Sequence, residues 1–437
     1  MSNKYDVFIR RDVTQTFFCV VIIVMASGRV QVATTGLQDE FLTGTPDLTY
    51  FQKVFKRHTK FALELLDNPF DEEVDFGSEA RCVIGRRGDL IRNMYLRIQL
   101  PAINEANVGY TASIGNAIID YADLLIGGKR VERINGEYME IYDEMFISDS
   151  LQRGLLATVG KTNSRIGLGP ATTANGYPRN FIINLPFYFH RSDPLAIPLI
   201  SLERQEVEVV IKFRPWEQLL VSPDQDYDIN NINPKMINAS LPVEYVFLSE
   251  DEQKWFRSRS FDYVITQLQM QKIQTTEIEN SMELKFINPV KELFFIIQNT
   301  SKTVSNIYTG NDWFDYFNSN TFVSNVQMDT LQLDFNNETM IDASVADNLF
   351  LGYVQPLNRH SRVPQRQIYN YSFSLDPENY LPTGQVNMSR INNKLLKINL
   401  NETTDGEREI RVYAKSYNVL RVNDGIAGML FIDNNVF

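Results

Sequence analysis

The chain reads as all-β, built from two similar antiparallel sandwiches in tandem. Its 437 residues are too many for one ordinary core and suit two domains of roughly 200 residues each. The 28 Phe and 20 Tyr favour half-buried pleated surfaces. Strict alternation of apolar and polar residues recurs in both halves, which marks strands wet on one face and packed on the other.

The elements follow in order. Phe17 to Ala26 is an apolar run behind Arg10 and Arg11. A membrane-spanning helix needs about 20 apolar residues, so this run is too short to span. Three readings stay open: a signal-peptide core, a buried or membrane-grazing arm, or an extension ahead of a start at Met25. Thr45-Pro46 predicts a helix start, with Leu48, Phe51, Val54 and Phe55 on one face. Lys53, Lys56, Arg57 and Lys60 would then lie on that helix and its exit as a solvated face.

Met94, Leu96, Ile98 and Leu100 alternate with Tyr95, Arg97 and Gln99, a strand. Gly127-Gly128, between two short apolar runs, predicts a hairpin turn rather than a phosphate loop. Asn135 opens a helix with Tyr138, Ile141, Tyr142 and Met145 as one stripe. Val207, Val209, Ile211 and Phe213 form the inner face of another strand. Ser249 and Glu252 spell a capping box, and the helix they open, with Arg257 to Ser260 after it, predicts the connector between the halves.

The second half repeats the style at Met282, Leu284 and Phe286, at Leu331, Leu333 and Phe335, and at Leu396, Ile398 and Leu400. Residues 89–99 parallel 289–298, and the lead-in at Pro198 parallels the one at Pro382. Two copies of one sandwich explain this, and eight short strands per copy make each a jelly roll. The stretches 160–176, 223–234 and 300–325 read as polar loops.

Site chemistry is sparse. A net charge of −12 and the lack of a basic block argue against nucleic-acid binding. Cys19 and Cys82 cannot organise a disulfide framework. His58, His190 and His360 lie far apart, with no metal-site spacing. Asp224, Asp226, Asp228 and Asn230 imitate a calcium loop but lack the glycine and the final glutamate. Arg87-Gly88-Asp89 spells an attachment tripeptide, although a turn explains it equally. Of six Asn-X-Ser/Thr sequons, Asn238, Asn299, Asn337 and Asn401 are candidate glycan acceptors; Asn370 and Asn387 fall beside expected strands. No nucleophile constellation stands out, so no catalytic residue, metal or cofactor is expected.

Several stretches together resemble the major capsid proteins of nucleocytoplasmic large DNA viruses. They are Gly36 to Phe51, Phe55 to Phe61, Arg87 to Ile91, Pro194 to Val207, Ala414 to Arg421 and Gly425 to Gly428. The resemblance implies a double jelly roll that forms homotrimeric, pseudo-hexagonal blocks. These would tile an icosahedral virion shell over an internal membrane, assembled in the host cytoplasm. Minor capsid and penton proteins would be partners, and the N-terminal arm would lie at the base, towards the membrane. The expected division is 1–35 as arm or extension, 36–258 as first jelly roll with its connector helix, and 259–437 as second. Nothing in the sequence marks the residues that face neighbouring subunits. Two other classes compete. One is a glycan-binding or host-attachment sandwich with Tyr308, Trp313 and Tyr316 as a stacking platform. The other is a β-sandwich glycosidase using a carboxylate pair.

Overall fold

The structure, a computed structural model, describes residues 27–53, 55–103, 108–162, 166–168, 179–222, 233–317, 326–401 and 406–431. The apolar run at 17–26, Cys19 and the calcium-like loop lie outside them. The chain forms two units, Met1–His58 and Thr59–Phe437.

In the first unit, helices α1 (Ser27–Ala33) and α2 (Leu37–Thr43) precede irregular backbone, and every described residue is exposed. The helix expected after Thr45-Pro46 does not form. The Gly44 N–H closes α2 on the Glu40 carbonyl at 2.9 Å. Thr45 then adopts φ +47°, not the extended backbone of a helix cap. Leu48 and Phe51 stay in solvent, so no buried face rewards a short helix there. Lys53, Lys56 and Arg57 therefore sit on irregular backbone.

Among the described residues, the second unit holds two matching sets of eight sandwich strands, with a few shorter strands beside them. The first eight are β1 (Ala62–Pro69), β2 (Glu79–Val83), β3 (Leu90–Leu100), β4 (Ile119–Ile126), β5 (Lys129–Asn135), β6 (Arg179–Asn184), β7 (Val207–Phe213) and β8 (Asn238–Phe247). They pair as β1-β8-β3-β6 and β2-β7-β4-β5, all antiparallel. The next eight are β9 (Phe261–Thr275), β10 (Glu279–Glu283), β11 (Pro289–Asn299), β12 (Met328–Phe335), β13 (Glu338–Ile341), β14 (Ile368–Ser372), β15 (Lys394–Leu400) and β16 (Arg408–Asn423). Their orders are β9-β16-β11-β14 and β10-β15-β12-β13. Each strand of the second set occupies the place of the strand eight earlier. The molecule is two jelly rolls of one topology.

The sequence repeat marks this correspondence. Residues 89–99 and 289–298 are β3 and β11, the third strand of each roll, and the two lead-ins enter β7 and β15. Inside the first roll, Met94, Leu96, Ile98, Val207, Val209 and Ile211 are closed to solvent. Leu331, Leu333, Leu396 and Ile398 do the same in the second. Gly127 and Gly128 (φ +58° and +74°) join β4 to β5 in a two-residue hairpin turn whose twist suits the strands.

Two helices matter below: α3 (Gly136–Met145) after β5, and α4 (Glu250–Ser258) between β8 and β9. Helix α4 follows β8 and precedes β9 in the chain, and the capping box expected there is not made. The Ser249 hydroxyl points to the Glu252 carboxylate at 3.5 Å and caps no backbone N–H.

Candidate functional site: the seam between the two rolls

The richest chemistry among the described residues lies where the rolls meet. Helix α3 begins because the Asn135 side chain accepts the Tyr138 N–H at 3.0 Å. All ten of its residues are buried or nearly so. Tyr138 of its expected apolar stripe packs on the outer face of the second roll's sheet β9-β16-β11-β14, 6.5 Å from Phe294 and 6.3 Å from Tyr413 between ring centres. Phe294 and Ile296 on β11 therefore join the first roll's core, while their neighbours Leu293, Phe295 and Ile297 join the second's. A strand covered on both faces loses alternation, and β11 reads as a near-continuous apolar run.

The other side of α3 is acidic, and each carboxylate meets a partner. Glu137 takes Arg214 at 2.6 Å, and the Arg411 guanidinium lies 3.9 Å away. Glu140 takes Arg366 at 3.1 Å and Lys161 at 3.3 Å. Glu144 takes Lys161 at 2.6 Å and Arg362 at 3.3 Å. Asn116 donates to both Glu140 and Asp143. Arg214 and Lys161 belong to the first roll's sequence, while Arg362, Arg366 and Arg411 belong to the second's. Burial pushes the Glu140 carboxyl up, but Arg366 and Lys161 outweigh it and hold the group at about 2. Glu137 and Glu144 are likewise held low against burial, by Arg214 and Lys161 respectively. Asp143 has no such cation in contact, and burial pushes it up to about 7. Removing one member of a buried ion pair typically costs about 3–5 kcal/mol, because its partner is left charged in a dry site.

A second polar cluster flanks a cavity of about 250 Å³ that Tyr142, Phe146, His190, Lys291 and Lys415 help to line. His360 lies 3.3 Å from Glu292 and 3.5 Å from Glu378. Burial opposes its protonation, but the two carboxylates raise it above the usual histidine value. Burial lowers His190 to about 4 and Lys291 to about 7. It raises Glu132, which accepts the Tyr188 N–H, to about 8. Two of the three distant histidines thus converge on the stacked Tyr142–Phe146 pair. No cluster of three or more metal-ligating side chains occurs among the described residues.

The loop 300–317 clasps the first roll. Asn311 donates to the carbonyls of Glu217 and Leu220 at 2.8 and 2.7 Å, and the Trp313 indole donates to Gln218 at 2.8 Å. The expected aromatic platform is corrected here. Tyr316 is closed to solvent, and Trp313 lies under the Arg214 guanidinium at 3.9 Å. These rings fasten the seam and present no stacking surface.

The remaining sequence candidates scatter. Asp89 accepts the Leu248 N–H at 2.8 Å and the Gln253 amide at 3.0 Å, so it anchors α4 instead of presenting an attachment motif. Gly88 is needed for space, since a Cβ there would meet Tyr245 at 2.8 Å. Cys82 is buried, and its thiol is pushed up to about 12, which makes it inert. Asn238 and Asn337 are exposed, and Asn299 and Asn401 are half-buried. The Asn299 side chain caps Ser301, while Asn370 is closed to solvent on β14. The acidic face of α3 went unread in the sequence. Carboxylates opposite an apolar stripe normally mean water, and the arginines that answer them share no local pattern.

Two jelly rolls of one strand order, locked through a seam buried in the chain, define the double jelly-roll class. A subunit of the PBCV-1 virus capsid shares this fold with a TM-score of 0.75 at 22% identity, over 88% of this chain and all of that one. The Faustovirus major capsid protein does so with a TM-score of 0.70 at 12% identity, over 91% and 96%. A family model described as major capsid protein N-terminus matches residues 49–249, and one described as large eukaryotic DNA virus major capsid protein matches 252–428. The chain belongs to the major capsid protein family of large eukaryotic DNA viruses. The major capsid proteins of Phaeocystis pouchetii virus and Pyramimonas orientalis virus are each 28% identical, over 93% of this chain and all of theirs. That of Paramecium bursaria Chlorella virus 1 is 26% identical over the same shares. The protein is a structural component of a virion capsid and not an enzyme.

Proposed function

We propose that this capsid protein works as a homotrimer whose six similar rolls close into a pseudo-hexagonal capsomer, and that such capsomers tile an icosahedral shell. The observation that carries this is the repeated strand order. Three chains of two like lobes supply six units that can alternate round a ring through head-to-tail contacts. The seam suits the role, since a lobe pair braced by buried aromatics and ion pairs transmits load as one body. Assembly in the host cytoplasm agrees with a free, buried Cys82.

On this reading the first roll runs to residue 258 and the second from 259. The arm expected at 1–35 extends to His58, because the described residues of 27–58 carry no strand and hold Phe41, Tyr50, Phe51 and Phe55 in solvent. An arm so rich in exposed aromatics serves contact with something else. Minor capsid and penton proteins, or the internal membrane, are its partners in this reading. Sequons on the exposed surface, Asn238 and Asn337 foremost, are where a glycan has room.

Light scattering coupled to size exclusion tests the central claim. The expected species has three times the 50.4 kDa chain mass and a six-lobed outline in negative stain. A monomer at micromolar concentration would overturn it.

A further inference from the structure

The internal duplication allows one surface to be deduced from another. Inside the chain, the link from the fifth to the sixth strand of roll one carries α3, and α3 packs on the outer face of sheet β9-β16-β11-β14. The corresponding link in roll two, between β13 and β14, also carries a helical run, residues 348–359, made of a π turn (Phe350–Val354) and an α turn (Gln355–Arg359). Its inward residues Leu351 and Pro356 are buried. Its outward residues are not: Leu349, Tyr353 and Leu357 are 61%, 56% and 71% exposed.

The receiving face has a counterpart as well. In β3 and β11 the inward triplets are Met94, Leu96, Ile98 and Leu293, Phe295, Ile297, and both strands continue into a glutamine, Gln99 or Gln298. Outward Tyr95 and Arg97 thus correspond to Phe294 and Ile296. In the second roll both positions are closed to solvent, Phe294 against Tyr138 of α3. In the first roll Tyr95 is half-buried, Arg97 is exposed, and Ile182, paired with Arg97 from β6, is 46% exposed. One helix has a seat and no exposed stripe, while its counterpart has an exposed stripe and no seat.

We infer that the 348–359 helix of one copy docks on the outer face of sheet β1-β8-β3-β6 of a second copy of this chain. Leu349, Tyr353 and Leu357 then lie over Tyr95, Arg97 and Ile182. The contact repeats the internal seam between molecules, and it is heterologous, so it closes a ring when the rotation per lobe is a sixth of a turn. The inference rests on the trimeric reading above and supplies the surface that reading lacks. The apolar stripe would otherwise be a long-lived exposed patch.

The experiment uses the full chain. Leu357→Asp changes an exposed side chain and is expected to leave far-UV dichroism and monomer unfolding intact. It is expected to raise the concentration at which the trimer dissociates by at least about thirty-fold, the effect of losing one interface anchor. In a second measurement, two proteins in a Cys19→Ser background carry Leu357→Cys and Ile182→Cys respectively. They are mixed and treated with a short bismaleimide, and cross-linked peptides are identified by mass spectrometry. A 357–182 link between different chains is the expected product. If the wild type is trimeric but Leu357→Asp still assembles normally and no such link forms, this surface is wrong and the trimer stands. If a third protein carrying Phe41→Cys in the same background links to Ile182→Cys and Leu357→Cys does not, the arm occupies the seat and the inference fails. A wild type that stays monomeric sinks both readings together.

Discussion

Glu140 and Asp143 stand three residues apart on α3, lose water together, and move in opposite directions. Arg366 and Lys161 keep Glu140 charged, whereas for Asp143 burial outweighs the Lys161 charge and the Asn116 amide, and Glu140 beside it adds to the rise. With a folded value of about 7 against an unfolded one of about 4, Asp143 keeps a proton that the unfolded chain has released. The stabilisation from that proton is complete below about pH 4 and is lost as the pH rises through about 7. Asparagine at 143 fixes the neutral state. The advantage of Asp143→Asn over the wild type should therefore grow by roughly 2–3 kcal/mol between pH 5 and pH 8. Urea unfolding of both proteins at the two pH values checks this, and a difference that stays constant would refute it. The comparison must be between variant and wild type, because Glu132, His190 and Lys291 also titrate in the seam with shifted values.

Elements were legible in the sequence to the degree that one of their faces is wet. Strands β3, β7, β12 and β15 alternate because water covers one side. Strand β11 does not alternate, and only its parallel with residues 89–99 marks it as a strand, since α3 and Phe146 cover its outer face. Helix α3 shows the limit from the other direction. Its apolar stripe is visible, but its acidic face reads as solvated until arginines distant in the chain are brought to it. The helix expected at Thr45 failed because a cap and a stripe are local signals, and that stretch has no core within its own unit to reward them. Packing around α3 leaves little slack. A Cβ at Gly136 would meet the Asn116 carbonyl at 2.2 Å and the Ile119 carbonyl at 2.5 Å, both backbone atoms. Gly136→Ala should cost about 1–3 kcal/mol despite alanine's better helix propensity. A melting temperature equal to or above the wild type would show that the backbone yields.

At the scale of the whole molecule, two rolls in one chain would ordinarily be expected to unfold separately. The seam makes that costly here. Parting the rolls would bare Phe294, Ile296 and Tyr413, separate Glu140 from Arg366 and Glu144 from Arg362, and free Asn311 and Trp313 from the first roll's carbonyls. Each exposed apolar side chain alone forgoes about 1.5–3 kcal/mol, and each orphaned buried charge more. A state with one roll folded and the other melted would thus keep the conformational cost of the folded roll while losing the contacts that roll two provides to it. Calorimetry of the Thr59–Phe437 unit within the full chain should then show a single endotherm, with equal calorimetric and van't Hoff enthalpies once protein concentration is held fixed. Two endotherms separated by more than about 5 °C would mean that the rolls are independent domains and that the seam is only a contact between them. The Arg366→Met variant sharpens the result: by weakening the seam without touching either sheet, it should broaden or split the wild-type endotherm instead of merely shifting it.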